Sequence, residues 1–324
     1  MRVAVLDDYQ GVAMELADWS PVLARGEVDV FRDHLTEPSK LVERLAPYDA
    51  VVLMRERTPM PAQVIEALPR LRLIVSTGRR NPVLDVAAAK ARGITVCGTR
   101  GLSTPPAELT WALILGLARN LLREAGNIAS GRWQTTTGLD LAGRTLGVLG
   151  LGRIGSQVAG VGRAFGMNVL AWSEHLTEER AGAVGASVVP LPRLLAESDV
   201  VTIHLVLSDR TRGLLGEREL AAMKPSALLV NTSRGPIIDQ PALVAALTAG
   251  RLGGAGLDVY DEEPLPFDHP LRATPRTLLT PHIGYVTEDV YRLFYGDAVE
   301  DIVAFADGEP IREIEERERL FDGP

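Results

Sequence analysis

The sequence predicts an α/β protein made of two doubly wound parallel-sheet domains, and three observations carry that prediction. The chain has 324 residues, enough for two ordinary domains with separate cores. Short β-branched runs alternate with longer helical patterns almost from end to end, the signature of a parallel sheet covered by helices. Near residue 100 the texture breaks at the turn-rich stretch Gly101-Leu102-Ser103-Thr104-Pro105-Pro106, and a second series of strands follows.

In order, the first series places strands at Arg2–Leu6, Val28–Phe31, Ala50–Leu53, Leu73–Val75 and Thr95–Val96. Helical patterns such as Glu37–Leu45 and Pro61–Leu68 lie between them. A long apolar helix is expected from Ala107 to Leu122. The second series comprises Thr145–Leu149, Asn168–Trp172, Val188–Val189, Val200–Ile203, Ala227–Asn231, Gly254–Leu257 and Leu278–Leu279. After Pro281 a helix runs from Glu288 to Phe305, and the charged tail Arg312–Arg319 reads as a solvated surface segment.

Composition narrows the partners. A hydrophobic fraction of 46% and a charged fraction of 23% are ordinary for a globular chain. A net charge of −8 with a pI near 5.3 argues against nucleic acid or a membrane surface as partner, because phosphate-rich surfaces repel it. An anionic small molecule remains compatible if arginines cluster locally. The single cysteine, Cys97, excludes an intrachain disulfide and a multi-cysteine metal cluster, and its strand-end position reads as a small buried hydrophobe. The five histidines lack ligand-like spacing, so no metal is expected. The chain enters an apolar strand at Val3 without a charged-then-apolar leader, and no apolar stretch reaches the roughly 18 residues of a membrane span. The expected location is the cytoplasm.

The strongest local signal is Gly150-Leu151-Gly152-Arg153-Ile154-Gly155, which follows the strand Leu146–Leu149 and opens the helical pattern Ser156–Phe165. In that context the first glycine makes the tight turn, the second lets backbone approach a pyrophosphate, and the third lets helix pack on strand. The helix N-terminus adds N–H groups and partial positive charge. A ribose-binding carboxylate is expected about 20 residues past the glycines for NAD. Ser173 stands there, neutral and small, with Glu174 directly after it. Glu174 can bind the ribose hydroxyls and repel a 2′-phosphate, so the residues lean to NAD and leave NADP open.

Three later segments each end a strand and carry an ionisable residue: Val230–Gly235 with Arg234, Leu257–Pro264 with Asp258 and Glu263, and Thr280–Gly284 with His282. In open α/β sheets ligands bind outside the carboxyl ends of strands, so all three segments can converge with the Gly-rich turn. The residue types fit one task. Reducing a 2-oxo acid needs a cation for the carboxylate, a proton donor for the carbonyl oxygen, and a group that keeps the donor charged.

These motifs, together with Asp199-Val200-Val201-Thr202-Ile203-His204, resemble the D-isomer-specific 2-hydroxyacid dehydrogenase family over nearly the whole chain. The resemblance implies a Rossmann cofactor domain, residues 99–286, inserted into a flavodoxin-like substrate domain, residues 1–98 plus 287–324. It implies interconversion of a small 2-oxo acid and its D-2-hydroxy acid by hydride transfer from the cofactor. Arg234 would bind the substrate carboxylate, His282 would be the general acid and base, and Glu263 would favour the imidazolium. Gly150, Gly152, Arg153, Ile154, Gly155, Ser173, Glu174, Val206, Thr232, Asp258 and Gly284 would contact the cofactor. The long apolar helix would form much of a homodimer interface. His204 reads as structural.

The chain also departs from the family. Arg79 and Arg80 stand in a loop that is usually small and Gly-rich, and with Arg55 and Arg57 they supply the local positive patch. Arg55, Gly78 and Arg79 are substrate candidates, whereas Arg57 and Arg80 read as salt-bridging residues. Val206 replaces the usual proline, and Tyr285 replaces a small residue after the catalytic segment and is a further candidate for shaping the substrate site. Phosphoglycerate, glyoxylate and hydroxypyruvate chemistry all remain open. The alternative outside enzymes is a dinucleotide-sensing scaffold like the family's corepressors.

Overall fold

The computed structural model describes residues 1–315, which fall into two compact units: Met1–Leu102 with the chain from Thr287 onward, and Ser103–Val286. The first unit holds a five-stranded, all-parallel sheet of β1 (Arg2–Val5), β2 (Glu27–Val30), β3 (Ala50–Leu53), β4 (Leu73–Ser76) and β5 (Thr95–Gly98), in the order β2-β1-β3-β4-β5. The strands β3 and β4 are buried along their whole length, as continuous apolar runs in a parallel sheet must be. The edge strand β2, Glu-Val-Asp-Val, is only partly covered.

The second unit carries seven parallel strands: β6 (Thr145–Leu149), β7 (Asn168–Trp172), β8 (Ser187–Val188), β9 (Val200–Ile203), β10 (Leu228–Asn231), β11 (Gly254–Leu257) and β12 (Thr277–Leu279). Their order is β12-β11-β10-β9-β6-β7-β8, so the winding reverses beside β6. Val148 of β6 pairs with Ala171 on one side and Thr202 on the other. A reversal of this kind opens a crevice beyond the strands' carboxyl ends. Separate apolar cores cover the two faces of the sheet, one around Leu149, Leu229 and Leu257 and the other around Val148, Val230 and Trp111.

Five of the twelve strands have the limits read from the sequence and the other seven differ by a residue or two, but four expectations need correction. The Pro105-Pro106 stretch is no loop: the helix starts at Thr104, and both prolines sit in its first turn, where a missing N–H costs nothing. That helix ends at Ala118, short of Leu122. Asn120 takes a left-handed conformation (φ 50°) and sends its side-chain amide to the Thr137 carbonyl at 3.1 Å, after which a separate helix covers Leu121–Ala129. The helix after the Gly-rich turn begins at Arg153, before Ser156.

The charged tail is partly docked. Ile314 donates its N–H to the Val96 carbonyl at 2.8 Å and is 5% exposed, and the Arg312 guanidinium meets Asp301 and Glu300, each at 2.8 Å. The remainder of that expected segment, residues 316–319, lies outside the described residues. Among the described residues no helix is long and apolar enough to cross a membrane.

Candidate active site

The site in the second unit is built by strand ends. At the end of β10, Asn231 is 1% exposed, and its side chain spans the turn that follows. It accepts the Ser233 N–H at 3.0 Å and donates to the Arg234 carbonyl at 2.9 Å, which fixes the backbone at Arg234. Gly235 follows because nothing larger fits: a Cβ there would lie 2.1 Å from the Tyr260 carbonyl carbon. The close approach brings the Arg234 loop against the segment after β11. The Arg234 guanidinium, half-buried, donates to the Ser233 carbonyl at 2.7 Å.

After β11, Asp258 is 1% exposed and organises the third loop. Its Oδ1 accepts from the Thr280 hydroxyl at 2.6 Å and the Ile283 N–H at 2.8 Å, and its Oδ2 accepts from the Gly284 N–H at 2.9 Å. Burial pushes the Asp258 carboxyl upward against the opposing pull of those donors and His282. These bonds bracket His282, whose backbone is left-handed at φ 52°, an uncommon state for a residue with a side chain. The Tyr260 hydroxyl lies within hydrogen-bond distance of the Thr280 and Leu257 carbonyls, at 2.9 and 3.1 Å, and ties the two loops together.

Glu263 is held from two sides. Its Oε1 accepts the Tyr260 N–H at 2.9 Å, and its Oε2 meets Nδ1 of His282 at 2.5 Å. A carboxylate at Nδ1 keeps the proton on that nitrogen and leaves Nε2 as the atom available to a ligand. The Tyr285 ring packs edge-on against the imidazole, centroids 5.6 Å apart, and is 7% exposed, so it braces His282 from inside the unit. His204 bonds the Thr202 hydroxyl through Nε2 at 2.9 Å, and burial pulls its pKa down to about 3, so it stays neutral.

The Gly-rich turn follows β6 at the point of reversal. Gly150 has φ 94° and donates to the Trp172 carbonyl at 2.8 Å, and a Cβ on Gly155 would lie 2.0 Å from the Gly150 carbonyl oxygen. At Gly152 a Cβ would meet nothing within 4 Å, so this glycine leaves open space at the start of the helix Arg153–Ala164. The first N–H groups of a helix have no partner inside it, and Gly152 brings no side-chain cap to compete for them. An open approach to unclaimed donors fits a pyrophosphate. Ile154 packs toward the core, while Arg153 is exposed.

The other cofactor candidates spread along the same edge. Thr232 donates its hydroxyl to Thr110 at 2.8 Å, since the Thr110 hydroxyl is itself donated to the Pro106 carbonyl. Val206 is 66% exposed, and Gly284 is buried with its Cβ position 3.1 Å from Asp258. Ser173 is half-buried. Glu174 is exposed and is met at 2.5 Å by Arg210, a residue the sequence reading passed over. Asn231 ends the expected strand Ala227–Asn231, and its place three residues before Arg234 was the available signal for its role in the turn.

In the first unit, Arg55 is left-handed (φ 51°), and its guanidinium lies over Gly78, where a Cβ would be 2.7 Å from Nη1. Its N–H bonds the Thr77 hydroxyl at 2.9 Å, and its carbonyl accepts from Asn81 at 2.8 Å, so the two loops are stitched together. Arg79 and Arg80 are exposed. Arg57 reaches the Asp7 carbonyl at 2.7 Å and lies over the Tyr9 ring at 4.4 Å, an internal role.

Fold and site together define a nicotinamide-dinucleotide oxidoreductase of the doubly wound α/β type. Residues 111–284 match the NAD-binding domain of the D-isomer specific 2-hydroxyacid dehydrogenases. A glyoxylate reductase from Korarchaeum cryptofilum is 37% identical over 292 residues, covering 87% of each chain. A D-3-phosphoglycerate dehydrogenase from Archaeoglobus fulgidus is 37% identical over 276 residues, which are 84% of this chain but 52% of that one. The crystal structure of a phosphoglycerate oxidoreductase from Vibrio cholerae superposes with a TM-score of 0.90 at 38% identity, covering 95% of this chain and 99% of the other. The chain belongs to the D-isomer-specific 2-hydroxyacid dehydrogenase family. It is an NAD-dependent oxidoreductase that acts on the CH–OH group of a 2-hydroxy acid.

Proposed function

We propose that the chain reduces a small 2-oxo acid of the glyoxylate and hydroxypyruvate type to its D-2-hydroxy acid, with His282 as proton donor. The observation that carries this reading is the Glu263 carboxylate at Nδ1 of His282, 2.5 Å away, which leaves Nε2 to protonate a carbonyl oxygen. Glu263 stabilises the imidazolium before the proton leaves. Arg234 takes the substrate carboxylate, since a guanidinium matches two carboxylate oxygens at once. The unit Ser103–Val286 holds NAD, with the pyrophosphate at Gly150, Gly152 and the start of the helix at Arg153, and Asp258 sets the loop beside the nicotinamide. When bound, NAD supplies or accepts the hydride at C2 of the acid.

Arg55, Gly78 and Arg79 are the substrate-binding residues of the first unit in this reading. The glyoxylate reductase relative, matched over 87% of each chain, supports the smaller acids, while the Vibrio cholerae phosphoglycerate oxidoreductase, matched over 99% of its length, supports a phosphorylated acid. The exposed Arg79 keeps a phosphorylated acid as the second reading. The chain acts in the cytoplasm as a homodimer. The expected dimer helix is mostly buried within its own unit, so the contact falls instead to Leu121, Leu122, Ile128 and Trp133, each more than half exposed. Light scattering on the pure protein should give twice 34.9 kDa.

The test is NADH oxidation with glyoxylate, hydroxypyruvate, phosphohydroxypyruvate, pyruvate and phenylpyruvate, for wild type and His282→Ala. Turnover on the first two that falls about 10²- to 10⁴-fold in the variant supports the assignment. Equal turnover in both proteins removes His282 from the chemistry, and activity confined to phosphohydroxypyruvate selects the second reading.

A further inference from the structure

Two charged side chains, carried by the segments that follow the strands on either side of β6, meet in an ion pair, and neither belongs to the Gly-rich turn. The strands β7 and β9 flank β6, and their ends press on the turn from both sides: Gly150 donates to Trp172 of β7, while a Cβ on Gly150 would lie 2.6 Å from the His204 carbonyl just past β9. From the first end the chain continues to Ser173 and Glu174. From the second it passes through Val206 into a compact turn. There the Thr211 hydroxyl donates to the Val206 carbonyl at 2.7 Å and accepts the Ser208 N–H at 2.8 Å, and the Arg212 N–H reaches the Ser208 carbonyl at 2.9 Å. This turn presents Arg210 to Glu174, with Nη1 and Oε2 2.5 Å apart.

Both side chains are more than half exposed, and an exposed ion pair contributes little to folding. Its place is informative. In a doubly wound fold the adenosine ribose meets the residues that end the second strand, here Ser173 and Glu174. A 2′-phosphate at that ribose would bring a charge of roughly −1.5 to −2 beside the Glu174 carboxylate, and it would also find a guanidinium within reach.

We propose that Glu174 and Arg210 form a charge-exchange selector for the adenosine ribose, an inference that rests on the cofactor reading above. With NAD, Glu174 accepts the ribose hydroxyls while Arg210 neutralises it. With NADP, Arg210 must leave Glu174 for the phosphate and strand the carboxylate next to a dianion, so the Glu174 charge sets the preference for NAD. Arg210 is the residue that a loss of that charge would turn into a phosphate ligand.

Titration of NADH and NADPH fluorescence without substrate tests this on wild type, Glu174→Gln, Arg210→Gln and the double variant. Glu174→Gln should shift the Kd ratio about tenfold or more toward NADPH, an advantage that fades with added salt. Arg210→Gln should shift it further toward NADH, and the double variant should lose most of the gain, a non-additive cycle. If the gain of Glu174→Gln survives in the double variant, or Arg210→Gln leaves the ratio at the wild-type value, the selector is overturned while the cofactor site stands. If the wild type binds neither dinucleotide, the cofactor reading fails with it.

Discussion

The carboxylate of Glu263 bridges the Tyr260 backbone N–H at 2.9 Å and Nδ1 of His282 at 2.5 Å, so one side chain both anchors to its own loop and orients the ring on another. Replacing it by Gln keeps an acceptor in place and removes the charge that the proposed proton transfer relies on. Glu263→Gln should therefore lower kcat by about 10- to 100-fold, less than the loss of His282 itself. Because the two act as a unit, Glu263→Gln with His282→Ala should be scarcely worse than His282→Ala alone. Steady-state kcat for the four proteins checks this, and additive losses would show that Glu263 works independently of the ring.

The glycines of the dinucleotide turn should separate folding from binding. A methyl at Gly155 would stand 2.0 Å from the Gly150 carbonyl oxygen, which the backbone must move to relieve, whereas a methyl at Gly152 meets nothing within 4 Å. Gly155→Ala should lower Tm by several degrees, as a loss of about 1–3 kcal/mol does. Gly152→Ala should leave Tm unmoved and weaken NADH binding, because its methyl occupies the space a pyrophosphate needs. Thermal melts and NADH titration read the two effects separately. Equal affinity in Gly152→Ala and wild type would remove the pyrophosphate from that spot.

The placement of the second unit's candidate residues was legible because they follow directly on strand ends. Gly150–Gly155, Arg234, Glu263 and His282 each stand within a few residues of an apolar run that marks its strand, so local sequence placed them beyond the carboxyl ends of one sheet's strands. What depended on distant parts of the chain was not legible. Arg210 pairs with Glu174 across β6, and nothing in either local stretch announces the other. Pro105 and Pro106 read as a loop because proline breaks helix interiors, yet they occupy a first turn. The break at Asn120 rests on one left-handed residue inside an apolar stretch that gives no other warning. The tail carried a signal that was overlooked: Asp297, Glu300 and Asp301 fall on one face of a helix by their spacing, an acidic surface that Arg312 engages.

That acidic face also sets a pH dependence. Asp301 is fully buried; its Oδ1 meets Arg312 at 2.8 Å, while its Oδ2 has no hydrogen-bond partner among the described residues. Burial raises its pKa from an ordinary 3.8 to about 7, against the pull of Arg312. At pH below the ordinary value the carboxyl is protonated in both folded and unfolded chains, and pH has no effect through it. Between about 4 and about 7 the folded chain keeps a proton that the unfolded chain has lost, so stability falls as pH rises; above about 7 the loss is complete. Asp301→Asn is neutral throughout and lacks this slope. Urea unfolding at pH 5, 6, 7 and 8 should therefore show wild type losing stability relative to Asp301→Asn as pH rises. A constant difference would mean that Arg312 overrides burial and the carboxylate is charged across the whole range.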